Sequence, residues 1–508
     1  MSRIPYKWLV ATACVLGLFL EILDMTVLNT ALPILGEHFR ADTAQLQWLI
    51  TAYLVSLAGF IPASGWVADR FGDKRTFLFA LAVYTSANLW AGIAGSVNEL
   101  IAARVTQGVG GGLLTPVGTA MLCRAFPANE RARASAMLAI PTTLAPMLGP
   151  VLGGWLADNI SWRWVFFLKV PVGVIGLLFS ALVLKPGVRT ATGRFDVIGF
   201  VTGGAGLATL LVGLERGARE GWSDTTTLVL VGIGVALGAV FIVTESRVAS
   251  PMLDLRLLKD RMFALGNVLM LPAAGASMGA MFVIPILVQT QRGLSATESG
   301  LLTAFQAIGM LAVLPFTNRL FMRFGPRRLL IGGLTVIAAS QFAMMALGPS
   351  TSLNLIRGSM FLMGFAGGLV MVPLQAATFS QISFAATARA SALFSTARQV
   401  AASVGVAMIA TTLTVRTSQR LGALDHGATR PATTAAQFGA CHDVFLVSGL
   451  IGLFGVALAL LIRDADAAAS RAPAATTADT PTALTATTRS PLPMRANASD
   501  AVATEGLS

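Results

Sequence analysis

The sequence GWVADRFGDKR, at Gly65–Arg75, recurs in altered form as NRLFMRFGPRR, at Asn318–Arg328. Both copies keep a central Arg-Phe-Gly, and a second match follows each copy at nearly the same spacing. The pentapeptide ARASA occurs at 132–136 and again at 388–392. Matches that keep their order and spacing indicate an internal repeat, so we predict that the chain folds as two similar halves.

Long apolar segments surround both copies of the repeat. Of the 508 residues, 55% are apolar and 12% are charged, whereas a soluble domain carries about 25% charged residues. A helix that spans a bilayer needs roughly 20 apolar residues, and fourteen segments of the sequence approach that length. We therefore predict an all-α membrane protein with 14 transmembrane helices.

The repeat divides these fourteen predicted helices into domains. The first six form an N-terminal half at 8–184, and the last six form a C-terminal half at 262–462. Helices seven and eight, with their linkers, form an inserted hairpin at 185–261. Residues 463–508 are rich in Ala, Thr, Ser and Pro, which predicts a disordered tail. Two six-helix halves around a central site are typical of secondary transporters.

The distribution of basic residues predicts the orientation in the membrane. Loops after even-numbered segments hold more than twice as many Lys and Arg residues as loops after odd-numbered segments. Cytoplasmic loops are enriched in these residues, so we place both termini in the cytoplasm. The same bias accounts for the formal net charge of +12, and no nucleic-acid-binding motif accompanies it. The three cysteines lack CxxC spacing, so no metal site is predicted.

Two opposite charges are predicted to meet inside the membrane. A charge in hydrocarbon costs roughly 2.5–3.5 kcal/mol, so it usually faces a cavity or a partner. Asp24 in the first segment lies roughly 24 Å from the cytoplasmic side, at 1.5 Å per residue. Arg104 in the fourth segment reaches a similar depth, so an Asp24–Arg104 pair is predicted. Such a carboxylate could alternate between a proton and a salt bridge, or it could simply fix the helix packing.

Two further charges lie in the predicted spans. Glu21 shares a helix face with Asp24, as a second titrating group or as a carboxylate that recognises a cation. Lys169 lies five residues after the start of the sixth segment, and we predict that its side chain extends outward to the interface rather than into a cavity.

The Gly65–Arg75 sequence resembles the loop signature between the second and third helices of the major facilitator superfamily. In that family the loop holds the two halves together in the outward-facing state. The resemblance implies a conformational gate, with Arg133 as a partner of the acidic residue, although setting topology is the simpler role for these charges. The implied gate residues are Gly65, Asp69, Arg70, Gly72, Arg75 and Arg133. The second copy departs from the signature, because Asn318 replaces a glycine and Met322 replaces the acid.

Two other segments resemble motifs of the same superfamily. Arg104–Gly108 is similar to its fourth-helix motif, whose arginine is implicated in proton transfer. Ala145–Gly154, APMLGPVLGG, resembles the antiporter motif that marks exporters, with Ala145 in place of the first glycine. The motif residues implied here are Gly149, Pro150, Gly153 and Gly154.

Two stretches narrow the resemblance to one branch. Leu23–Pro33 and Trp162–Pro171 resemble signatures of the fourteen-helix drug:proton antiporters of the EmrB/QacA type, although Lys169 stands where that branch usually has Asn. The resemblance implies a proton-coupled antiporter that exports drugs, antibiotics or other toxic small molecules across the inner membrane. It implies no cofactor besides the proton gradient. The implied partners are the lipid bilayer, protons, a small-molecule substrate and, in a double-membrane cell, a periplasmic adaptor.

Isolated polar and aromatic residues in the spans are candidates for lining a substrate cavity, because small-molecule sites combine apolar walls with a few polar groups. They are Asn29, Gln107, Asn267, Phe282, Gln289, Phe305, Gln306, Phe361, Gln375 and Arg398. A dedicated exporter of a metabolite or natural product remains an alternative function. A membrane enzyme or receptor is disfavoured, since the sequence has no HExxH motif, phosphate-cradling loop or Ser/His/Asp set.

Overall fold

The regular structure is helical throughout the part of the chain that is described. The structure, a computed structural model, describes residues 5–41, 43–187, 193, 195–248, 251–294, 296–348, 351–423 and 430–463. The tail predicted to be disordered lies outside these residues from position 464 onward.

The first half contains eight helices. They are α1 (Tyr6–Phe39), α2 (Thr43–Phe60), α3 (Ser64–Phe71), α4 (Asp73–Ile93), α5 (Val97–Ala125), α6 (Arg131–Asn159), α7 (Trp164–Phe167) and α8 (Lys169–Val183). A 55° bend separates α2 from α3. The start of α5 is capped by Ser96, whose side chain accepts a hydrogen bond from the Glu99 backbone N–H.

An inserted hairpin follows, formed by α9 (Val197–Glu220) and α10 (Thr225–Arg247). Each helix begins at an aspartate cap. Asp196 accepts from the Gly199 N–H at 2.8 Å, and Asp224 accepts from the Thr227 N–H at 3.0 Å. These caps satisfy backbone donors that would otherwise have no partner at the helix ends.

The second half contains the remaining five helices. They are α11 (Arg261–Arg292), α12 (Ala296–Met344), α13 (Leu353–Thr378), α14 (Thr387–Gly422) and α15 (Arg430–Ala459). The long α12 is two helices joined at Gly325, which has φ 77° and ψ 166°. Its counterpart in the repeat, Gly72, has φ 89° at the junction of α3 and α4. Glycine tolerates positive φ without steric cost, so both copies of the repeated loop turn the chain at the same residue.

The number of membrane spans is only partly settled by these helices. Ten described helices are long and apolar enough to cross a membrane, or eleven if the bent α2–α3 pair is one span. The α12 span is 47 residues long and includes the turn at Gly325. The 29-residue helices α5 and α6 are not among the ten. The total of fourteen therefore stays a prediction.

The outer face of α10 carries exposed apolar side chains at seven-residue intervals. Leu228, Val235 and Ile242 are 56%, 58% and 57% exposed. A stripe of this kind on a helix in contact with few neighbours is typical of a surface that faces lipid. The chain is therefore a multi-pass membrane protein.

The hairpin packs against both halves. A Cβ atom added to Gly204 of α9 would lie 2.9 Å from the Gly59 backbone oxygen of α2, so these two helices approach through their glycines. At the other end of α9, the indole N–H of Trp222 donates to the Thr411 hydroxyl of α14 at 2.7 Å. The hairpin thus connects α2 of the first half to α14 of the second.

Candidate functional site

Asp24 is held by two cations in the interior of the first half. Arg104 Nη1 donates to Asp24 Oδ2, and Lys169 Nζ donates to Asp24 Oδ1. The side chain of Asp24 is 0% exposed, and those of Arg104 and Lys169 are each 1% exposed. The three residues come from α1, α5 and α8. The pair predicted from helix depth is present, and this charge cluster (Asp24, Arg104, Lys169) carries one net positive charge.

Neutral groups fix Arg104 in place. Its Nε donates to the Leu49 backbone oxygen at 2.9 Å, and its Nη1 also donates to Gln107 Oε1 at 2.7 Å. Gln107 Nε2 donates in turn to Asn88 Oδ1 at 3.2 Å. The guanidinium carbon lies 4.3 Å from the centre of the Tyr53 ring. With these contacts Arg104 is the anchored cation of the cluster.

Lys169 does not extend outward as predicted. It is the first residue of α8, directly after the short α7, and its ammonium points to Asp24 and lies 4.9 Å from the centre of the Phe166 ring. The prediction was wrong because a nearby buried carboxylate offers the ammonium a better partner than the interface does. Residue spacing gives the depth of Lys169 along the helix but not the direction in which its side chain points.

Glu21 lies one helical turn before Asp24 and is 8% exposed. The Thr115 hydroxyl of α5 donates to Glu21 Oε2. The positive charge of Arg398, on α14 of the second half, also acts on this carboxylate. The Arg398 side chain is exposed. Glu21 therefore lies between the charge cluster and the opposing half.

A second charged cluster joins the two halves at the end of the bundle predicted to be cytoplasmic. Asp69 accepts from Arg389 Nε at 3.1 Å and lies 3.5 Å from Arg124 Nη2. Arg124 Nη1 also donates to both oxygens of Asp73, at 2.7 and 2.6 Å. Its Nε donates to the Phe384 backbone oxygen at 3.2 Å. We call Asp69, Asp73, Arg124 and Arg389 the gate cluster.

The backbones approach closely around the gate cluster. A Cβ atom on Gly65 would lie 3.0 Å from the Arg389 Cα, so α3 can meet α14 there only through a glycine. The Ser391 hydroxyl donates to the Pro116 backbone oxygen at 2.6 Å. Arg131 donates to the Phe379 backbone oxygen. The two halves are therefore closed against each other at this end.

The basic members of the predicted gate need correction. Arg133 lies 4.6 Å from the centre of the Trp8 ring instead of pairing with Asp69. The side chains of Arg70 and Arg75 are exposed. Arg389 takes the place predicted for Arg133.

The repeat contained the signal that identifies Arg389. Arg133 and Arg389 occupy the same position in the two ARASA copies. Only Arg389 meets a loop with an acid, Asp69, because the second-half loop carries Met322 at the matching position. Arg389 contacts the loop of the first half, where Asp69 is its acidic partner, whereas Arg133 packs on Trp8 of its own half.

The antiporter-like segment packs α6 against α1 beside the charge cluster. A Cβ atom on Gly149 would overlap the side chain of Thr26, two residues after Asp24. The Thr26 hydroxyl donates to the Ala145 backbone oxygen at 3.3 Å. A Cβ atom on Gly154 would meet no described residue within 4 Å. Gly153 is buried, and the side chain of Pro150 lies outside the described residues.

The residues predicted to line a substrate cavity are scattered. Gln107 needs correction, because it is 0% exposed and bonded to Arg104 and Asn88. The side chains of Asn29 and Phe282 lie outside the described part.

The remaining candidates belong to the second half. The backbones of Gln306 and Phe361 lie at the contact of α12 with α13, where Gly364 and Gly309 permit close approach. Gln289 is exposed, and Gln375 is half-buried. Asn267 is half-buried too, and its Oδ1 has no hydrogen-bond partner among the residues that the structure describes. These residues do not converge on one site within the described part of the chain.

Loss of the acid at the gate has an expected structural consequence. Asp69→Asn removes the carboxylate shared by Arg389 and Arg124, so we expect an increase of about tenfold in the population that is open at this end. Pulsed electron paramagnetic resonance between spin labels on Arg75→Cys and Ala385→Cys measures this opening. Asp443→Asn, which removes an ion pair with Arg420 within the second half, is the matched control. Equal distance distributions for wild type and Asp69→Asn contradict the gate.

Known proteins resemble this chain in sequence. A sequence profile described as Major Facilitator Superfamily matches residues 14–406 and 267–500. The uncharacterized MFS-type transporter YhcA of Bacillus subtilis is 34% identical over 405 residues, which cover 79% of this chain and 76% of that protein. A multidrug resistance protein B homolog of Mycobacterium tuberculosis is 33% identical over 408 residues, 80% of this chain and 76% of that one. The putative multidrug resistance protein MdtD of Yersinia pestis is 31% identical over 458 residues, with coverages of 90% and 94%.

Solved structures resemble the fold at lower identity. The human organic anion transporter MFSD10 (TETRAN) superposes with a TM-score of 0.64 and 15% identity, over 90% of this chain and 100% of that one. The proton:xylose symporter XylE superposes with a TM-score of 0.57 and 15% identity, over 89% and 94%. At such identities the likeness concerns the fold alone.

Proposed function

The chain belongs to the Major Facilitator Superfamily, and from that premise we propose that it is a proton-coupled antiporter that exports small organic molecules by alternating access. It is a membrane transporter and not an enzyme. Relatives named for multidrug resistance support drug efflux as its role. The resemblance of Ala145–Gly154 to the antiporter motif supports the outward direction.

The observation that carries the proposal is the sharing of Asp24 between Arg104 and Lys169. A proton on Asp24 would neutralise the only carboxylate of the charge cluster and leave two cations facing each other. Arg104 is anchored by Leu49 and Gln107, so Lys169 is the group that would leave. Protonation of Asp24 would thereby loosen α8 from α1 and α5.

The energies of these steps are comparable. Breaking a buried ion pair by neutralising one partner costs roughly 3–5 kcal/mol. A proton that crosses a membrane potential of about 150 mV releases roughly 3.5 kcal/mol. A protonation event of this kind can therefore open the cluster, whereas thermal motion seldom does so, because the cost is several times RT. Coupling at Asp24 is energetically feasible without any other cofactor.

In alternating access the contacts of the gate cluster must break when Asp24 gains or loses its proton. In the present conformation the Asp69–Arg389 contact joins the halves at one end. We assign that end to the cytoplasm, so the chain would lie in the cytoplasmic membrane with both termini inside. Recruitment of a periplasmic adaptor remains a prediction of the family resemblance.

A dedicated metabolite exporter is the second candidate, and one observation favours it. Lys169 gives the charge cluster a net positive charge, and Arg398 adds another exposed cation beside Glu21. An interior with excess positive charge attracts acidic organic molecules more strongly than cationic drugs.

Expression in a host that lacks its own efflux pumps separates the two candidates. The panel contains lipophilic cations, neutral antibiotics and organic acids. If the protein exports drugs, we expect cells that express the wild type to become at least fourfold more resistant to several compounds of the panel. Cells that express Asp24→Asn should show no such increase. Equal sensitivity of cells with and without the protein to every compound, at matched expression, contradicts drug export and leaves the metabolite exporter.

A further inference from the structure

Two acidic side chains lie close together at the end of the hairpin that is predicted to be cytoplasmic. Asp196 is the N-terminal cap of α9, and Glu245 lies in the last turn of α10. A Cβ atom on Gly199 would lie 2.5 Å from Asp196 Oδ2 and 2.7 Å from Glu245 Oε1, so both carboxylates reach the same point beside this glycine. Glu245 is 2% exposed. We call Asp196 and Glu245 the acid pair.

Each carboxylate of the acid pair has one oxygen bonded to the backbone and one oxygen without a partner. Asp196 Oδ1 accepts from the Gly199 N–H at 2.8 Å, and Glu245 Oε1 accepts from the Met252 N–H at 3.2 Å. Asp196 Oδ2 and Glu245 Oε2 are buried, and neither has a hydrogen-bond partner among the residues that the structure describes. A buried, ionised oxygen without a donor is costly. A proton shared between the two carboxylates would supply the missing donor.

No basic group compensates the acid pair within the described part of the chain. The charged groups that act on Glu245 are Asp196 and Asp254, and both are acidic. Neither member of the pair forms an ion pair with a described Lys or Arg. The neighbouring Arg247 and Arg256 have exposed side chains. Two carboxylates that share a buried site repel each other when both are charged, so the binding of a single proton relieves the repulsion.

The acid pair is connected to the gate through Trp66 of α3. The indole N–H of Trp66 donates to the Gly193 backbone oxygen at 3.3 Å, and its ring centre lies 4.8 Å from that of Phe195. Phe195 directly precedes Asp196, and Trp66 directly follows Gly65, the glycine at the contact of α3 with α14. A displacement at the start of α9 therefore acts on the helix that closes against the second half.

We propose that the acid pair holds one shared proton and transmits the cytoplasmic pH to the gate cluster. At low pH the proton joins the two carboxylates and keeps the start of α9 against the end of α10, with the gate cluster closed as in the present conformation. At higher pH the proton passes to the cytoplasmic water, the two negative charges repel each other, and the contacts of Trp66 with the start of the hairpin loosen. The population that is open at this end then rises. This inference rests on the gate of the proposed alternating access and not on proton coupling at Asp24.

Pulsed electron paramagnetic resonance on the full-length protein in lipid nanodiscs tests the regulation, with spin labels on Arg75→Cys and Ala385→Cys. Between about pH 6 and about pH 8 we expect the open population of the labelled wild type to rise about tenfold. Glu245→Gln has a neutral side chain that can donate to Asp196 at every pH, so its label distances should stay those of the closed gate. Asp196→Asn keeps a residue that can cap α9, and it should behave in the same way.

The matched control is Glu130→Gln, the same substitution at another acid of the predicted cytoplasmic end, whose partner is Lys7. It should keep the pH response of wild type. A response of Glu245→Gln equal to that of wild type overturns the inference, as does a wild-type distance that does not change with pH. Opening in Asp69→Asn shows in the same assay that the gate itself works, so failure of the regulation is distinguishable from failure of the gate.

Infrared spectroscopy of the same samples locates the proton. At about pH 7 we expect wild type to show the C=O band of a protonated carboxyl group that is absent from both Glu245→Gln and Asp196→Asn. Identical spectra of wild type and these two variants overturn the shared proton. Closure of the gate at high pH by millimolar Mg²⁺, in wild type and not in Glu245→Gln, also overturns it, because the acid pair would then bind a metal ion instead.

A variant of Trp66 tests the connection between the acid pair and the gate. Trp66→Leu removes the indole donor and the ring contact with Phe195, but it leaves the acid pair in place. We expect it to keep the protonated-carboxyl band while the label distances no longer respond to pH. A pH response in Trp66→Leu equal to that of wild type overturns the connection through α3.

Discussion

Replacing Asp24 by asparagine is expected to abolish pH-gradient-driven transport and to destabilise the folded protein by roughly 3–5 kcal/mol. The substitution leaves Arg104 and Lys169 without a counter-charge at a site where each side chain is 1% exposed. Both consequences follow from the same carboxylate. Transport is measured in proteoliposomes with an imposed pH gradient, and stability is measured by thermal unfolding in detergent.

A charge-compensated variant separates the two effects. Asp24→Asn combined with Lys169→Met returns the cluster to one net positive charge, carried by Arg104 with its Leu49 and Gln107 contacts. We expect this double variant to regain most of the lost stability while gradient-driven transport stays absent. Gradient-driven transport in the double variant would show that Asp24 has only a structural role. Normal stability of Asp24→Asn alone would contradict the buried, shared ion pair.

Gly149→Val is expected to have the second-largest effect, a destabilisation of roughly 3 kcal/mol with loss of transport. The new side chain would overlap Thr26 and force α1 away from α6. Since Asp24 lies two residues before Thr26, the displacement also disturbs its contacts with Arg104 and Lys169. Thermal unfolding and vesicle transport measure the two consequences. Gly154→Val is the control on the same helix, because none of the described residues lies within 4 Å of a Cβ atom there.

Exchanging the sizes of the side chains at positions 26 and 149 tests whether their overlap causes this destabilisation. In Gly149→Ala the added methyl group meets mainly the Thr26 side chain, while the Thr26 backbone carbon is 3.3 Å away. Combining it with Thr26→Gly removes the overlapping atoms. We expect the pair to be about as stable as Thr26→Gly alone, which corresponds to a strong favourable coupling between the positions. Additive destabilisation of the two substitutions would show that the α1–α6 contact does not depend on this overlap.

The sequence identified those features of the site that depend on position along a helix. The depth of Asp24 and Arg104 follows from counting residues, because each advances a helix by a fixed rise. The repeat pairs Gly72 with Gly325, and in the structure both residues have positive φ. Gly149 was identified through a motif whose small residues permit close helix contact.

Features that depend on the rotation and docking of helices were not predictable in the same way. The rotation of α8 about its own axis decides where the Lys169 side chain points, so spacing could not show that the ammonium meets Asp24. Arg389 contacts Asp69 only because the two halves pack against each other there, and the two residues are 320 positions apart in the sequence. Gln107 looked like a cavity residue, but α5 is buried on nearly every side from that position onward. Because this part of α5 has no exposed face, the sequence pattern could not show whether Gln107 lines a cavity or packs against other helices.

The most direct test of proton-coupled export is the simultaneous recording of proton flux and substrate flux in proteoliposomes. The substrate is the compound with the largest resistance change, or an organic acid if none changes. The account predicts that outward substrate movement in wild type is accompanied by inward proton movement, and that a reversed pH gradient reverses both. Asp24→Asn combined with Lys169→Met should show neither flux. Substrate movement that proceeds in wild type at the same rate with and without a pH gradient, and with no proton flux, would contradict the account.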